Sequence, residues 1–243
     1  MFLSRLRINV GSDPNRQSPG RQWLRNLYHV HQRLCMAFPS AAQKDGDVDF
    51  LNPFDPSGFI HAHGLRTAEQ AFLFRIDPQP VGNPAILVQS ALKPDWDYAF
   101  HNAGFLLAAP PDAKPYDPSF TDGQSLRFRL VANPTRKIGT KGGPGGQKDN
   151  GRRVPVKYEL LPGWLDRQGE RGGFKVDGAS CACQPGYVYW GKPAKETVRL
   201  FSVRFDGLLN VTDTDAFRNT LVSGIGPSKA YGFGLLSVAP AQP

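Results

Sequence analysis

The sequence predicts an α+β protein in which one strand–helix order occurs twice. Three observations carry this reading. An alternating strand at the start runs into an amphipathic helix, a second alternating strand recurs at 125–132, and the second half returns to the same rhythm before an apolar last strand. A chain of 243 residues has room for two small domains, and 40% apolar content is enough to give each a core.

Residues 2–10 form the first expected strand. Phe2, Leu6, Ile8 and Val10 share one face, while Arg5, Arg7 and Asn9 share the other. An amphipathic helix follows within Trp23–Phe38, with Ser18 or Asn26 as its N-cap and Pro39 as its stop. Trp23, Leu27, Val30, Leu34 and Phe38 make its apolar stripe. His31 falls on the edge of that stripe, with Tyr28 one turn back, and His29 and Arg33 point to the solvent side. His29 and His31 therefore cannot chelate one metal from a regular helix.

Residues 39–68 are irregular and hold Asp45, Asp47, Asp49 and Asp55, which reads as a surface insertion. His61 and His63 would share a face of an extended segment. With no third ligand nearby they read as solvated loop residues, not a metal site. Strands follow at 71–76 and 85–92, a short helix near 95–101, a proline-rich loop at 108–123, and the strand Ser125–Ala132. In that strand Leu126, Phe128 and Leu130 face in, and Arg127 and Arg129 face out. The sum is βαββαβ, the ferredoxin-like order, over a first domain of residues 1–134.

Composition then shifts. Between 134 and 157 stand Arg136, Lys137, Lys141, Lys148, Arg152, Arg153 and Lys157 against the single acid Asp149, with six glycines interleaved. Such a stretch buries no apolar surface, and a plain linker does not need that charge. Residues 135–156 are therefore expected to be mobile alone and to order on a polyanion's backbone. A second domain, 157–243, is expected to hold a helix at 157–168 interrupted by Pro162-Gly163. After it come a strand at 173–176, a hairpin turning at Asp206-Gly207, and a helix at 214–222 capped by Asp213. It ends in the loop Gly224-Ile-Gly-Pro-Ser-Lys-Ala-Tyr-Gly-Phe-Gly234, which leads into the last strand. Gly224, Gly226, Gly232 and Gly234 free the backbone for close approach, and Lys229 has no acidic neighbour in sequence, a pattern that suits a phosphate, although on composition alone a loop that only turns the chain from helix to strand is the stronger reading.

A net charge of +8 favours a polyanionic partner, nucleic acid before an anionic membrane surface. No run of about 18 apolar residues suggests a membrane span. The opening residues alternate where a signal peptide would be continuously apolar. Cys35, Cys181 and Cys183 are too few for a disulfide framework; with no export signal they fit free thiols in a reducing cytoplasm.

Three stretches together resemble the CasE family of CRISPR-associated endoribonucleases, within the CRISPR-associated RNA-binding superfamily. They are Asn26-Leu-Tyr-His-Val-His-Gln-Arg-Leu34 with Phe38-Pro39, Leu126-Arg-Phe-Arg-Leu-Val-Ala-Asn-Pro134, and the glycine loop running into Leu235-Leu-Ser-Val-Ala-Pro240. The resemblance implies tandem ferredoxin-like domains and a catalytic tyrosine and histidine three residues apart, which fall on Tyr28 and His31. It also implies metal-independent cleavage of a CRISPR repeat hairpin by its own 2′-hydroxyl, without a cofactor. The product would stay bound, and other Cascade subunits would be partners. Arg33, Arg127, Arg129, Arg136, Lys137, Lys141, Lys148, Arg152, Arg153, Lys229 and the four loop glycines are the expected RNA contacts. Lys229, Arg33 and the 136–157 basics are the candidates for stabilising the charge of the reacting phosphate. Two competing readings are a non-catalytic RNA-binding subunit of the same machinery and a metal-dependent nuclease or deaminase built on His61, His63 and the aspartates.

Overall fold

The computed structural model describes residues 1–13, 15–39, 46, 71–79, 82–138, 151–191 and 196–241. Apart from Gly46, the 39–68 insertion beyond Pro39, with His61 and His63, lies outside the described residues, as do the basic residues Lys141 and Lys148. The described chain forms two compact units. The first is Met1–Pro118 with Tyr189–Val198 and Ala230–Gly232; the second is Ser119–Val188, Arg199–Lys229 and Phe233–Pro243.

In the first unit, β1 (Phe2–Arg7), β2 (Phe72–Asp77), β3 (Ala85–Ser90) and β4 (Asp112–Pro115) make an antiparallel sheet of order β2-β3-β1-β4. Two helices, α1 (Pro19–Leu24) and α2 (Leu27–Cys35), lie between β1 and β2, and α3 (Trp96–Phe100) lies between β3 and β4. This is the ferredoxin-like order. The register puts Leu6 opposite Ile86 and Phe74 opposite Val88, all fully buried. Val30 and Leu34 of α2 join them in one core with Ala99 and Phe100 of α3.

In place of the single expected helix there are two, because both candidate caps act. Ser18 accepts from Arg21 N and starts α1, and Asn26 accepts from Tyr28 N and starts α2. Two competent caps only eight positions apart divide the stretch, because each takes extended backbone angles that interrupt a helix.

The second unit repeats the plan. Strands β5 (Ser125–Ala132), β8 (Phe174–Val176), β10 (Val198–Val211) and β11 (Leu236–Pro240) form a sheet of order β11-β5-β10-β8, with β9 (Ala182–Trp190) paired to β10. Helix α4 (Leu161–Gly172) follows β5, and α5 (Thr214–Ser223) follows β10. Trp164 stacks on Phe205 with centroids 5.9 Å apart, inside a core that includes Leu130, Leu165 and Phe217.

Three expectations are corrected. Ser125–Ala132 is not the last strand of the first domain but the first of the second: it pairs with β10 and β11, and the units part at Pro118/Ser119, not at 134. The charge shift at 134 follows an insertion after β5, not the change of core. Asp206-Gly207 makes no turn, because β10 runs straight through it. A side chain at Gly207 would lie 3.0 Å from Cys181 Cα, so the glycine serves a close backbone approach. Pro162 does not break the helix; it occupies the first turn of α4, where its missing N–H has no cost.

The basic segment is anchored at both described ends. β6 (Thr135–Lys137) pairs with β7 (Arg153–Pro155) as a two-stranded ribbon, so these residues are structured without a ligand, contrary to the expected mobility.

Candidate active site

Asn26 builds the site from its helix end. Its Oδ1 accepts from Tyr28 N at 3.1 Å, and the same amide brackets Gly191, donating Nδ2 to Gly191 O at 2.9 Å and accepting from Gly191 N at 3.3 Å. One cap thus fixes the start of α2 and brings Trp190-Gly191 to it across 165 positions of sequence. Tyr28, 7% exposed, meets the Trp190 ring edge-on at 6.1 Å, and Trp190 packs on Tyr231 at 5.1 Å. Burial pushes the Tyr231 phenol above its ordinary pKa.

His31 stands one turn beyond Tyr28 and is half-buried. Its ring lies nearly parallel to Phe74, 22° off with centroids 6.2 Å apart, and packs on Phe72 at 5.5 Å. Nε2 is 3.5 Å from Cys35 Sγ, one helical turn on. The imidazole is therefore held between β2 and its own helix. His29 is exposed, as the helical phase requires.

Gly232 supports this arrangement from below. It has φ of +80°, and a Cβ there would sit 3.1 Å from Phe74 Cε2, the ring on which His31 packs. Gly234, at φ +89°, would place a Cβ 2.8 Å from Ile225 O, where the loop closes through Ile225 N donating to Gly234 O at 2.9 Å. Gly226 faces Trp164, and Gly224 ends α5 with φ of +73°. Gly226, Gly232 and Gly234 thus meet the protein's own atoms. Lys229 lies in the turn Lys229–Tyr231, half-exposed, with no hydrogen bond or ion pair to another described residue.

The other expected contacts divide. Arg33 does not point freely to solvent: Nη1 donates to Ala99 O and to Asn102 Oδ1, each at 3.0 Å, and burial lowers its pKa. It satisfies a carbonyl near the end of α3. Arg129 is ion-paired with Asp206, which also takes Arg204 at 2.7 Å, whereas Arg127 is exposed and donates to Pro240 O at 3.3 Å. Arg136, Lys137, Arg152 and Arg153 are all exposed on or beside the β6–β7 ribbon. Lys137 stands directly opposite Arg153, a like-charge pairing that disfavours the ribbon unless an anion lies across it.

Sequence reasoning names Asn26 only as a possible cap and passes over Trp190, Tyr231 and Phe74. The signal for Tyr231 is its place inside the glycine loop. Trp190 and Phe74 are distant in sequence from α2 and carry no local signature.

Two ferredoxin-like units, a tyrosine–histidine pair on α2 and a closing glycine loop define a class of RNA-processing protein. The chain matches the family model described as CRISPR associated protein over residues 1–240, and it belongs to that family, within its CasE branch. It is 30% identical over 252 residues to the CRISPR-associated endoribonuclease Cse3 of Thermus thermophilus, covering 99% of this chain and all of the relative. It is also 30% identical over 224 residues to the CRISPR system Cascade subunit CasE of Escherichia coli, covering 90% of this chain and 95% of that one. Among solved structures it is similar to Cse3 bound to a 19-nucleotide RNA, at a TM-score of 0.70 and 29% identity over 99% of this chain and all of that one. Cas6e of Escherichia coli superposes at a TM-score of 0.61 and 26% identity, over 99% of this chain and all of that one.

Proposed function

We propose that this chain is a CRISPR-repeat endoribonuclease that cleaves the hairpin repeat of a precursor transcript and remains with its product as a Cascade subunit. Its Thermus relative is named an endoribonuclease and has been solved with an RNA representing a pre-cleavage complex, and its Escherichia relative is named a Cascade subunit. The observation that carries the reading is the placement of Tyr28 and His31 one turn apart on the capped helix of the first unit.

The chemistry needs only proton transfers. The 2′-oxygen attacks the adjacent phosphorus, the bond from phosphorus to the 5′-oxygen breaks, and the ends become a 2′,3′-cyclic phosphate and a 5′-hydroxyl. One proton leaves the 2′-hydroxyl and one reaches the departing 5′-oxygen. An imidazole titrates in the right range for either transfer, so His31 carries one of them. A phenol is a poor free base, so Tyr28 orients the 2′-hydroxyl. Lys229 and the ribbon basics remain to meet phosphates; Arg33 is engaged with α3. An A-form stem is read mainly through backbone and shape, and such exposed basics suit it. Among the described residues no helix is long and apolar enough to cross a membrane, and the proposed work is cytoplasmic.

The deciding experiment incubates the protein with labelled repeat hairpin in excess EDTA. Discrete cleavage with a cyclic-phosphate end is expected, together with retention of the 5′-hydroxyl on the partner fragment. A hairpin bound but left whole would make the chain a non-catalytic subunit, and cleavage abolished by EDTA would make it a metal enzyme.

A further inference from the structure

Where the turn after β1 enters α1, three arginines line one cavity. Its walls are Asn15, Arg16, Gln17, Arg21, Gln22 and Arg25, all within the first unit and none of them acidic. Arg21 builds the wall itself: Nη1 donates to Arg16 O at 2.7 Å, and Nη2 donates to Val10 O at 2.8 Å and to Asp13 O at 3.1 Å. Arg16 and Arg25 are exposed, and their guanidinium groups have no hydrogen bond or ion pair with another described residue. Gln22 Nε2 donates to Gln17 Oε1 at 2.8 Å, so the Gln17 amide keeps both of its own N–H donors. Like charges gathered round one cavity repel each other, and no carboxylate lines it to offset them.

Guanidinium and amide donors around one cavity match a phosphate, whose oxygens accept from several donors at once. The place in the chain says whose phosphate. Arg25 closes α1 and directly precedes Asn26, the cap that begins α2 and holds Tyr28 N. A strand being cut at Tyr28 and His31 carries its neighbouring phosphates past this junction. We propose that Arg16, Arg21 and Arg25 form a subsite for a backbone phosphate of the RNA strand beside the one that reacts. This rests on the endoribonuclease reading above and adds to it a contact that fixes the register of the strand on α2.

The test uses the full chain and a repeat hairpin carrying a 2′-deoxy substitution at the cleaved nucleotide, which binds without being cut. Each phosphate flanking the cut is replaced in turn by an uncharged methylphosphonate. Affinity is measured for the wild type and for Arg16→Ala with Arg25→Ala, leaving Arg21 to hold its three carbonyls. The variant should bind the unmodified hairpin roughly tenfold more weakly, as loss of hydrogen bonds to a charged acceptor implies. Its log–log salt slope should fall by about 0.7 to 0.9, the release from one phosphate. At one flanking position the methylphosphonate should weaken the wild type by a similar factor and the variant little, because the partner charge is already gone. The variant's melting temperature should not fall. If the double variant does not fold, Arg25→Ala alone carries the same comparison. Losses that simply multiply at every position overturn the proposal, as does a variant that binds like the wild type. Inorganic phosphate that binds the wild type without any coupled position in the RNA overturns it too. A wild-type chain that cuts the normal repeat while no position couples keeps the parent reading and loses this one. A coupled position in a wild-type chain that does not cut removes the endoribonuclease reading and leaves the phosphate subsite standing.

Discussion

In the first unit the second of the two helices after the opening strand, α2, starts at an asparagine cap and places Tyr28 and His31 one turn apart. In the second, the corresponding helix, Leu161–Gly172, has a proline in its first turn and buries Leu161, Trp164 and Leu165, with Asp166, Arg167 and Glu170 exposed. The connections from second helix to last strand differ as well. The first unit uses a short 3-10 turn at Gly104–Leu106, and the second uses the glycine loop with Lys229. Both sheets have the same strand order, so strand order does not decide where chemistry resides. The difference lies in which helix face carries titratable groups and in which loop lets its backbone come close.

That contrast is broken most severely by removing the imidazole. His31→Ala should lose about 10²–10⁴-fold in cleavage rate, the usual contribution of a positioned acid or base, with hairpin affinity and melting temperature kept. His29→Ala, on the exposed face, should cut nearly as wild type, and so should Arg167→Ala on the second unit's helix. Tyr28→Phe should fall between, because orientation is lost but proton transfer is not. A His31→Ala enzyme that cuts normally would move the active site elsewhere.

The next effect belongs to the second unit. Replacing Arg136, Lys137, Arg152 and Arg153 with alanine should flatten the salt dependence of hairpin binding. The log–log slope should fall by about 0.9 for each phosphate contact removed. An unchanged slope would reduce the β6–β7 ribbon to a connector. Because Lys137 and Arg153 oppose each other, the same variant should not lower the stability of the free protein.

Glycine changes sharpen the comparison further. Gly234→Val must fit a Cβ 2.8 Å from a carbonyl oxygen at positive φ, and Gly232→Val must displace the ring beneath His31. Both should cost well beyond the roughly 1 kcal/mol of an ordinary glycine substitution, measured by urea denaturation. Gly226→Val, facing only the edge of Trp164 at 3.4 Å, should cost less. Equal costs at all three would mean that close approach is not what the loop glycines supply.

Much of this is legible in the sequence. Alternation locates β1 and β5, the helical period separates His29 from His31, and the cap residues predict where helices begin. These signals are local, and local rules read them. The membership of β5 is not legible, because pairing partners lie 71 or more positions away (Val203 with Ala132) and alternation does not say which core a strand faces. Asp206-Gly207 looks like a turn because glycine serves turns and close approaches alike, and only the crossing of Cys181 tells which. Trp190 stays hidden for the same reason: its meaning comes from Asn26, far off in the chain.

The smallest expected effect concerns the thiols, which the two units protect differently. Cys35, 3% exposed beside His31, is shielded from reagent. Cys181 and Cys183 are only half-buried, yet they should also react slowly. Burial, then the neighbouring Cys183, then the carboxylates of Asp166 and Asp206 push the Cys181 thiol up to about 12, and burial raises Cys183 as well. Only the thiolate is alkylated, so a raised pKa leaves less of the reactive form at any working pH. At about pH 8 iodoacetamide should therefore modify all three cysteines slowly in the folded protein and quickly in urea, as followed by mass spectrometry. Raising the pH to about 9.5 should accelerate Cys183 and Cys181 by supplying thiolate, but Cys35 little, because access limits it. Equal acceleration of all three would show that the fold opens near Cys35. Rapid modification of Cys181 at the lower pH would show that its surroundings are neither dry nor negatively flanked. Cys181→Ser with Cys183→Ser should leave cleavage unchanged, since neither thiol belongs to the unit that carries Tyr28 and His31.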